Sequence, residues 1–297
     1  MPAAAIAFVI IIIAAACLIR SRYETGHIVF RYYDVYSEKI KGAFDGYTIA
    51  LMADLHDKGR GKRNDEMLLQ LSGISPDAVM AAGDMATAKR GRAKMSECLH
   101  IMKELAAAYP VYYAPGNHEH RMRVHPEKYG HSFNELYSQL AAAGVIFMED
   151  ISLTLIDGED LMTITGLDLD EQYYKKGRHV PMNVKHLYNV IGSPDRSGFH
   201  ILLAHSPDYF KEYAEWGADL VLCGHYHGGT VRLPLLGGVI SPDLKLFPEY
   251  SRGMFKKGDC TMIVSGGMGT HSVNLRLGNI SEVPVIRLHS AAEKEVL

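Results

Sequence analysis

An apolar segment that stops at a group of polar residues constrains the fold of this chain most. Residues 111–114 are apolar or aromatic and stand between Pro110 and Pro115, which is typical of a short buried strand. Gly116–Glu119, with the sequence GNHE, follow at once. A glycine allows a sharp turn, and ligands bind at the carboxyl ends of strands in open α/β sheets. The stretch therefore predicts an α/β fold with a binding site at this strand end.

Four other apolar segments end in the same way. They are followed by Asp54-Leu55-His56, Gly83-Asp84, His205-Ser206 and Gly224-His225-Tyr226-His227. Side-chain alternation would place both ligands of a D-x-H or H-x-H motif on one side of the chain. Carboxylate, imidazole and carboxamide groups together suit divalent metals such as Mn, Fe, Zn, Co or Ni. The candidate ligands are too many for one ion and enough for two: Asp54, His56, Asp84, Asn117, His205, His225 and His227.

The remaining pattern predicts two sheets with helices outside. Apolar residues recur at helical spacing in 65–74, 96–109 and 133–143, between the strand segments of the first half. The second half is richer in strands. We expect sheets packed together with helices on their outer faces. The predicted organisation is an N-terminal membrane anchor (1–22), a leading segment of one or two strands (23–46) and one large domain (47–297).

The N-terminal segment is apolar enough to suggest a membrane anchor. Ala3–Ile19 carry no charge and would form a helix roughly 25 Å long, near the lower limit for crossing a bilayer. A cleaved signal peptide would normally have a basic residue before its apolar core, and this chain has none there. Arg20 and Arg22 after the segment favour a single-pass helix with a cytoplasmic domain. A buried core helix and a lipoprotein signal ending at Cys17 are the alternatives.

Charge and cysteine content exclude some classes of protein. The net charge is −3, which gives no support to a nucleic-acid-binding surface. The cysteines at 17, 98, 223 and 260 are scattered without a CxxC pair, so they form no disulfide framework or zinc knuckle and are compatible with a reducing compartment.

The five strand-end motifs resemble those of the calcineurin-like metallophosphoesterase superfamily, over about residues 47–288. Val231–Gly237 and Ser265–Thr270 resemble its membrane-associated bacterial branch. The resemblance implies a four-layer α/β/β/α sandwich of two mixed sheets. It also implies that His118 is catalytic and faces the scissile phosphate. The implied ligands are Asp54, His56, Asp84 and His227 for one ion and Asp84, Asn117, His205 and His225 for the other, with Asp84 bridging.

Two departures from the family pattern limit this interpretation. The superfamily's protein phosphatases carry an acid three residues after the bridging aspartate, where this chain has Thr87. This counts against that branch and leaves open what orients His118. A basic loop, Lys58–Arg63, follows the first motif and is expected either to bind a second phosphate or anionic headgroup or to be solvated surface. The polar segments 120–131 and 173–178 face the same choice between covering the site and plain surface.

The sequence therefore predicts a dinuclear metal-dependent hydrolase of phosphomonoesters or phosphodiesters. The anchor favours a lipid-linked or membrane-proximal substrate, such as a nucleotide-sugar lipid pyrophosphate or a phospholipid. A soluble cyclic-nucleotide or general phosphodiesterase is the first alternative, and a non-catalytic metal-binding regulatory module is the second. A DNA nuclease is disfavoured by the absence of a basic surface, and no nucleic-acid partner is expected.

Overall fold

The computed structural model describes residues 2–59, 61–241, 245–270 and 274–291, so Arg60 of the predicted basic loop lies outside the described residues. Within these ranges the helices are α1 (Pro2–Gly26), α2 (Lys62–Ile74), α3 (Ser96–Ala106), α4 (Asn117–Val124), α5 (Pro126–Tyr129), α6 (Ser132–Ala142), α7 (Val184–Ile191) and α8 (Phe210–Trp216). The strands are β1 (Ile28–Ser37), β2 (Thr48–Met52), β3 (Ala78–Ala82), β4 (Thr87–Lys89), β5 (Arg92–Lys94), β6 (Val111–Ala114), β7 (Ile146–Phe147), β8 (Ser152–Asp157), β9 (Asp160–Leu167), β10 (Phe199–Ala204), β11 (Leu220–Cys223), β12 (Arg232–Leu233), β13 (Gly237–Gly238), β14 (Gly253–Lys257), β15 (Cys260–Val264) and β16 (Ser281–Ser290). Short 3₁₀ helices lie at Gly42–Phe44, Glu171–Tyr174 and Pro207–Tyr209.

The first sheet has the strand order β1-β16-β2-β3-β6-β7. Its neighbouring strands are parallel except for the antiparallel pair β16 and β2. In β2, Ile49 and Leu51 face one side of the sheet while Ala50 and Met52 face the other, and all four are buried. Burial of both faces explains why this strand is continuously apolar in the sequence.

The second sheet has the strand order β14-β15-β11-β10-β9-β8. Its four central strands are parallel, and antiparallel strands, β14 and β8, form the two edges. The two sheets are therefore both mixed, as predicted.

Three apolar layers hold these sheets and helices together. Leu51 and Met80 of the first sheet pack with Leu203, Leu222 and Ile263 of the second, which places one core between the sheets. The outer face of the first sheet packs against α2, α3 and α6, and the outer face of the second packs against α7 and α8. The predicted four-layer α/β/β/α sandwich is confirmed.

The N-terminal helix continues beyond the predicted anchor. By length and composition α1 could cross a membrane, and its residues 3–16 are exposed. Ser21 and Glu24, in its last two turns, are buried against the domain. β1 then pairs with β16 along its whole length, from Ile28 opposite Ser281 onward. The segment expected to lead into the domain thus includes an edge strand of the first sheet, and the helix ends four residues after the predicted boundary at residue 22.

Candidate metal centre

The carboxyl ends of five strands from both sheets meet at one place. His205, after β10, bonds through Nδ1 to the carbonyl oxygen of Ala82 at the end of β3, 2.7 Å away. The amide of His225, after β11, donates to Oδ2 of Asp54 at 2.9 Å. These contacts join the second sheet to the first, so motifs far apart in the sequence share one site.

Left-handed backbone conformations direct most of the candidate ligands into the site. Positive φ angles occur at Asp54 (55°), His56 (51°), Asp84 (54°), His225 (74°) and His227 (49°). The side chains of Asp54 and His56 do converge, as predicted, but the cause is these left-handed turns beyond the strands and not strand alternation. Such a conformation costs roughly 1–2 kcal/mol for a residue with a Cβ, and it tends to persist at functional sites.

Two glycines allow the loops of the site to pack closely. A Cβ at Gly83 would lie 2.4 Å from the amide nitrogen of Gly116. A Cβ at Gly116 would lie 2.5 Å from the amide nitrogen of Asp84. Glycine is therefore required at both positions to bring Asp84 beside Asn117.

A first group of candidate ligands gathers around His56. Its Nε2 lies 2.9 Å from Nε2 of His227 and 3.8 Å from Oδ2 of Asp84. Nε2 of His227 lies 3.5 Å from Oδ1 of Asp54. These four side chains are those expected around one ion.

A second group gathers on the other side of Asp84. Nε2 of His205 lies 3.3 Å from Oδ2 of Asp84. The amide end of Asn117 lies 3.3 Å from the same oxygen and 3.2 Å from Nδ1 of His225. If the side-chain nitrogen of Asn117 occupies this position, it donates to both Asp84 and His225. If the side-chain oxygen occupies it, that oxygen, Oδ2 of Asp84 and Nδ1 of His225 are three neighbouring acceptors, which is what a cation requires. All seven predicted ligands are thus brought together, with Asp84 between the groups.

Burial and charge make the centre suitable for cations. Burial, together with the charge of Asp84, raises the pKa of Asp54 to about 7. Burial alone would lower the pKa of His205, but the carboxylate of Asp84 raises it to about 10. Oδ1 of Asp54 is buried and has no hydrogen-bond partner among the described residues. Two buried carboxylates surrounded by imidazole nitrogens fit divalent metal ions, because such charges require a positive partner.

His118 lies at the edge of the first group, with Nε2 3.9 Å from Oδ2 of Asp84. Its Nδ1 accepts a hydrogen bond of 2.8 Å from the amide of Ala88. A backbone N–H therefore orients the His118 ring in this chain, which has Thr87 where the protein phosphatases of the superfamily have an acid. Burial lowers the pKa of His118 to about 4, and in the neutral ring the proton lies on Nε2 because Nδ1 is an acceptor.

Glu119 supports the site, although the sequence predicts no role for it beyond its place in the GNHE motif. Its buried carboxylate accepts hydrogen bonds from the amides of Asp84 (2.9 Å), Ala86 (2.9 Å) and Gly116 (3.0 Å). The hydroxyl of Tyr113 donates to it at 2.7 Å. Glu119 therefore holds the loops of Asp84 and Asn117 together. Its position one turn from Gly116 is the only sequence signal for this role.

An open cavity of about 1100 Å³ lies over the candidate ligands. Its basic side chains are Lys58, Lys89, Arg90, Arg92, Lys94, Arg121 and Lys176. Asp57 and Asp84 are the acids that line it, and Asp57 is engaged by the amides of Glu97 and Cys98 at the start of α3. Among the described residues, no ion pair within 4 Å engages Lys58, Lys176 or the four cations of residues 89–94. The cavity is therefore strongly cationic.

The hairpin β4–β5 supplies four of these cations, and sequence reasoning missed it. Both of its turn residues have positive φ, Arg90 at 50° and Gly91 at 70°. Lys89 pairs with Arg92 on either side of the turn. The Arg-Gly dipeptide between two short alternating segments was the available signal, since two-residue hairpins favour glycine in such turns.

The predicted basic loop does not act as one unit. Lys58 lines the cavity. Lys62 is exposed, with its Nζ 3.5 Å from Glu66. Arg63 points inward and donates to the carbonyl oxygens of Thr25 and Met268, both at 3.0 Å. Arg63 therefore links its loop to the end of α1 and to Met268, and its charge is not available to a ligand in the cavity.

The polar segments 120–131 and 173–178 also each contain some residues that line the cavity and others that do not. Arg121 and Lys176 line the cavity, together with Tyr174. The ring of Tyr174 lies 5.2 Å from that of His225, whereas Tyr173 packs against Tyr209. His120 and Arg123 contact Asp168 instead.

Comparison with known proteins identifies the family of this chain. The calcineurin-like phosphoesterase family matches residues 47–229. An uncharacterized metallophosphoesterase of Bacillus subtilis, YkuE, is 25% identical over 91% of this chain and 89% of its own length. The phosphodiesterase YaeI of Escherichia coli is 34% identical over 30% of this chain and 32% of its own. A phosphopantetheinyl hydrolase of Mycobacterium tuberculosis (PptH) superposes with a TM-score of 0.45 at 15% identity, covering 78% of this chain and 96% of that one. The chain belongs to the calcineurin-like phosphoesterase family of metal-dependent phosphoester hydrolases.

Proposed function

We propose that this protein is a dinuclear phosphoester hydrolase whose substrate is presented at a membrane surface. The observation that carries the proposal is the convergence of seven ligand-type side chains from five strand ends, with Asp84 between two groups. One ion would be held by Asp54, His56, Asp84 and His227. The other would be held by Asp84, Asn117, His205 and His225.

Divalent ions held there would polarise the phosphoryl oxygens and activate water for attack at phosphorus. The protein's own groups would hold the ions and bind the reacting phosphoryl group. Asp84 and Asp54 hold negative charge in a buried place, which favours cations over anions. His118 carries its proton on Nε2, on the side of Asp84, and can donate a hydrogen bond from it to an oxygen of the reacting phosphoryl group, which stabilises the negative charge that develops there. The amide of Ala88 keeps the ring in that tautomer.

The cationic cavity supports a substrate with more than one anionic group. A single phosphate at the metal centre would leave most of the surrounding cations without a partner. A pyrophosphate or a second phosphate would meet the side chains of the β4–β5 hairpin, because Lys89, Arg92 and Lys94 all line the same space. A lipid-linked pyrophosphate fits this pattern.

The junction with α1 supports a membrane-proximal substrate. Arg63 donates to Thr25 at the end of α1 and also to the carbonyl oxygen of Lys58, which lines the cavity. The site is therefore close to the helix end. With Arg20 and Arg22 kept on the cytoplasmic side, the cavity would face the inner surface of the membrane.

The test is a substrate panel on purified full-length protein reconstituted with Mn, Fe, Zn, Co or Ni. The substrates are nitrophenyl phosphate, its bis ester and a lipid pyrophosphate in anionic vesicles, with metal content measured alongside. We expect turnover only with bound metal, and the highest kcat/KM on the lipid pyrophosphate. Bound metal without turnover of any substrate would favour a regulatory module.

A soluble phosphodiester is the second candidate, because the Escherichia coli relative carries the name phosphodiesterase. A preference for the bis ester or a cyclic nucleotide, unchanged by vesicles, would support that candidate and contradict the membrane substrate.

A further inference from the structure

A second apolar surface lies outside α1. Large apolar side chains that are exposed recur between β12 and the residues after β13, at Leu233, Leu235, Leu236, Leu246 and Phe247. Leu235 is fully exposed, Leu236 is 63% exposed and Phe247 is 55% exposed. Single exposed apolar residues are common on soluble domains, but a contiguous group marks a binding surface. We name residues 233–236 the leucine hairpin.

The leucine hairpin adjoins the end of α1. A short ladder starts where Arg232 donates to Leu277 at 2.8 Å, and it continues from Val239 to Val231 and from Phe247 to Val239. The segment that contains Leu277 is itself held against the helix. The amide of Arg276 donates to Ser21 Oγ at 3.2 Å, and the amide of Asn279 donates to Glu24 Oε2 at 2.9 Å. The base of the leucine hairpin therefore lies next to the segment that contacts the last two turns of the apolar helix.

The leucine hairpin is suited to an apolar environment at its tip and to a charged one at its base. The amide of Leu236 is already bonded to the carbonyl oxygen of Pro234 at 2.8 Å, which lowers the cost of immersing the turn in lipid. At the base, Arg232 donates to Gly228 and Ser251. A cavity of about 450 Å³ there is lined by Arg232 and Arg252 as well as by the leucine hairpin. Arginine below an apolar tip matches the order of acyl chains and phosphates in a bilayer surface.

We propose that the leucine hairpin inserts into the interface of the same bilayer that α1 crosses, as a second membrane contact. A single helix would leave the domain free to tilt above the membrane. A second contact beside the helix fixes that tilt and therefore the direction in which the domain faces. This second contact rests on the membrane-spanning role of α1 and on the exposure of the leucine hairpin, and it does not depend on the catalytic proposal.

The experiment measures the depth of single side chains in full-length protein. Leu235→Trp and Leu236→Trp variants are reconstituted into vesicles of phosphatidylcholine and phosphatidylglycerol, with and without bromine atoms on the upper acyl chain. We expect the emission of each introduced tryptophan to fall by about half or more with brominated lipid, because interfacial side chains lie roughly 5–10 Å into the boundary region. The native Trp216 is buried in the core and gives a constant background.

Ile156→Trp is the matched control. Ile156 is 70% exposed and lies on β8, the edge strand farthest from β14 in the second sheet. We expect no quenching there. If Leu235→Trp and Leu236→Trp behave like Ile156→Trp, the proposal is overturned. If they are unquenched but blue-shifted, and cross-linking captures dimers, the surface binds a second copy of the chain and the membrane contact is likewise rejected.

Discussion

The cavity over the candidate ligands has a buried base and a cationic edge, which we call its floor and its rim, and the two are built in opposite ways. The floor consists of buried ligand-type side chains on strained turns, tied to the main chain of both sheets. The rim consists of exposed or half-buried cations on a short hairpin. A buried charge that loses its partner costs several kcal/mol, whereas an exposed ion pair contributes about 0–1 kcal/mol. We therefore expect the floor to set the chemistry and to tolerate little change, and the rim to adjust which substrate is bound.

The strongest test of the comparison is the removal of Asp84 from the floor. Asp84→Ala should abolish binding of both ions, because its carboxylate lies in both ligand groups. Activity should fall by more than the roughly 10–100-fold that loss of an outer residue typically causes. Elemental analysis and kcat/KM measure the two effects, with the exposed Asp65→Asn as control. Unchanged metal content would remove Asp84 from the centre.

A substitution at His118 tests whether this residue acts in the chemical step or in metal binding. His118→Asn should leave metal content unchanged and lower kcat by about 10²–10³, the usual range for loss of a donor that stabilises charge in the transition state. Single-turnover kinetics and metal analysis on the same sample distinguish the roles. Loss of metal with the substitution would assign His118 to the ligands instead.

Glu119 tests whether the floor depends on its main-chain supports. In Glu119→Gln an NH₂ group replaces one oxygen that accepts backbone hydrogen bonds, so a buried amide loses its acceptor. We expect the free energy of unfolding to drop by about 1–3 kcal/mol and metal affinity to weaken by roughly 10–100-fold. Denaturant unfolding of the metal-free protein, with Glu135→Gln on the exposed side of α6 as control, measures the first effect. Equal behaviour of the two variants would contradict the supporting role.

A change at the rim should have a smaller and substrate-dependent effect. Arg92→Ser with Lys94→Ser should raise KM for a lipid pyrophosphate by about three- to tenfold, since each exposed cation contributes up to about 1 kcal/mol. The increase for nitrophenyl phosphate should be smaller, and high salt should reduce the difference. Lys62→Ser is the control, because that lysine is exposed away from the cavity. An equal loss on both substrates would mean that the hairpin supports the fold.

The smallest effect concerns the pH dependence of the rim. Burial lowers the pKa of Lys89 to about 8, so its charge is present below that pH and is lost above it. On a pyrophosphate substrate, kcat/KM should therefore fall a few-fold as pH rises through about 8, since this ratio reports the free enzyme. Lys89→Arg should remove the step because arginine stays charged. A step that persists in the variant would assign the titration to another group.

The sequence was sufficient for the features that depend on local pattern. Apolar runs with both faces buried gave the strands of the two sheets, and helical spacing located α2, α3 and α6 within a few residues. Polar residues at five strand ends gave the candidate ligands, since parallel strands bring their carboxyl ends together whatever their exact order. The family and the four layers followed from these motifs. The roles of the seven ligands and His118 stay predictions.

Only the tertiary structure decided how charges are distributed around those ligands. A run of cations has no periodicity that distinguishes surface residues from site residues. The structure shows that Arg63 bonds to the end of α1, whereas Arg90 and Arg92 line the cavity. The amide that orients His118 and the carboxylate of Glu119 that holds Asp84 are contacts between residues about 30 positions apart, which local pattern does not encode. The left-handed turns likewise persist only because packing of the two sheets holds them. Local pattern determined which residues reach the site, and long-range packing decided what each of them does there.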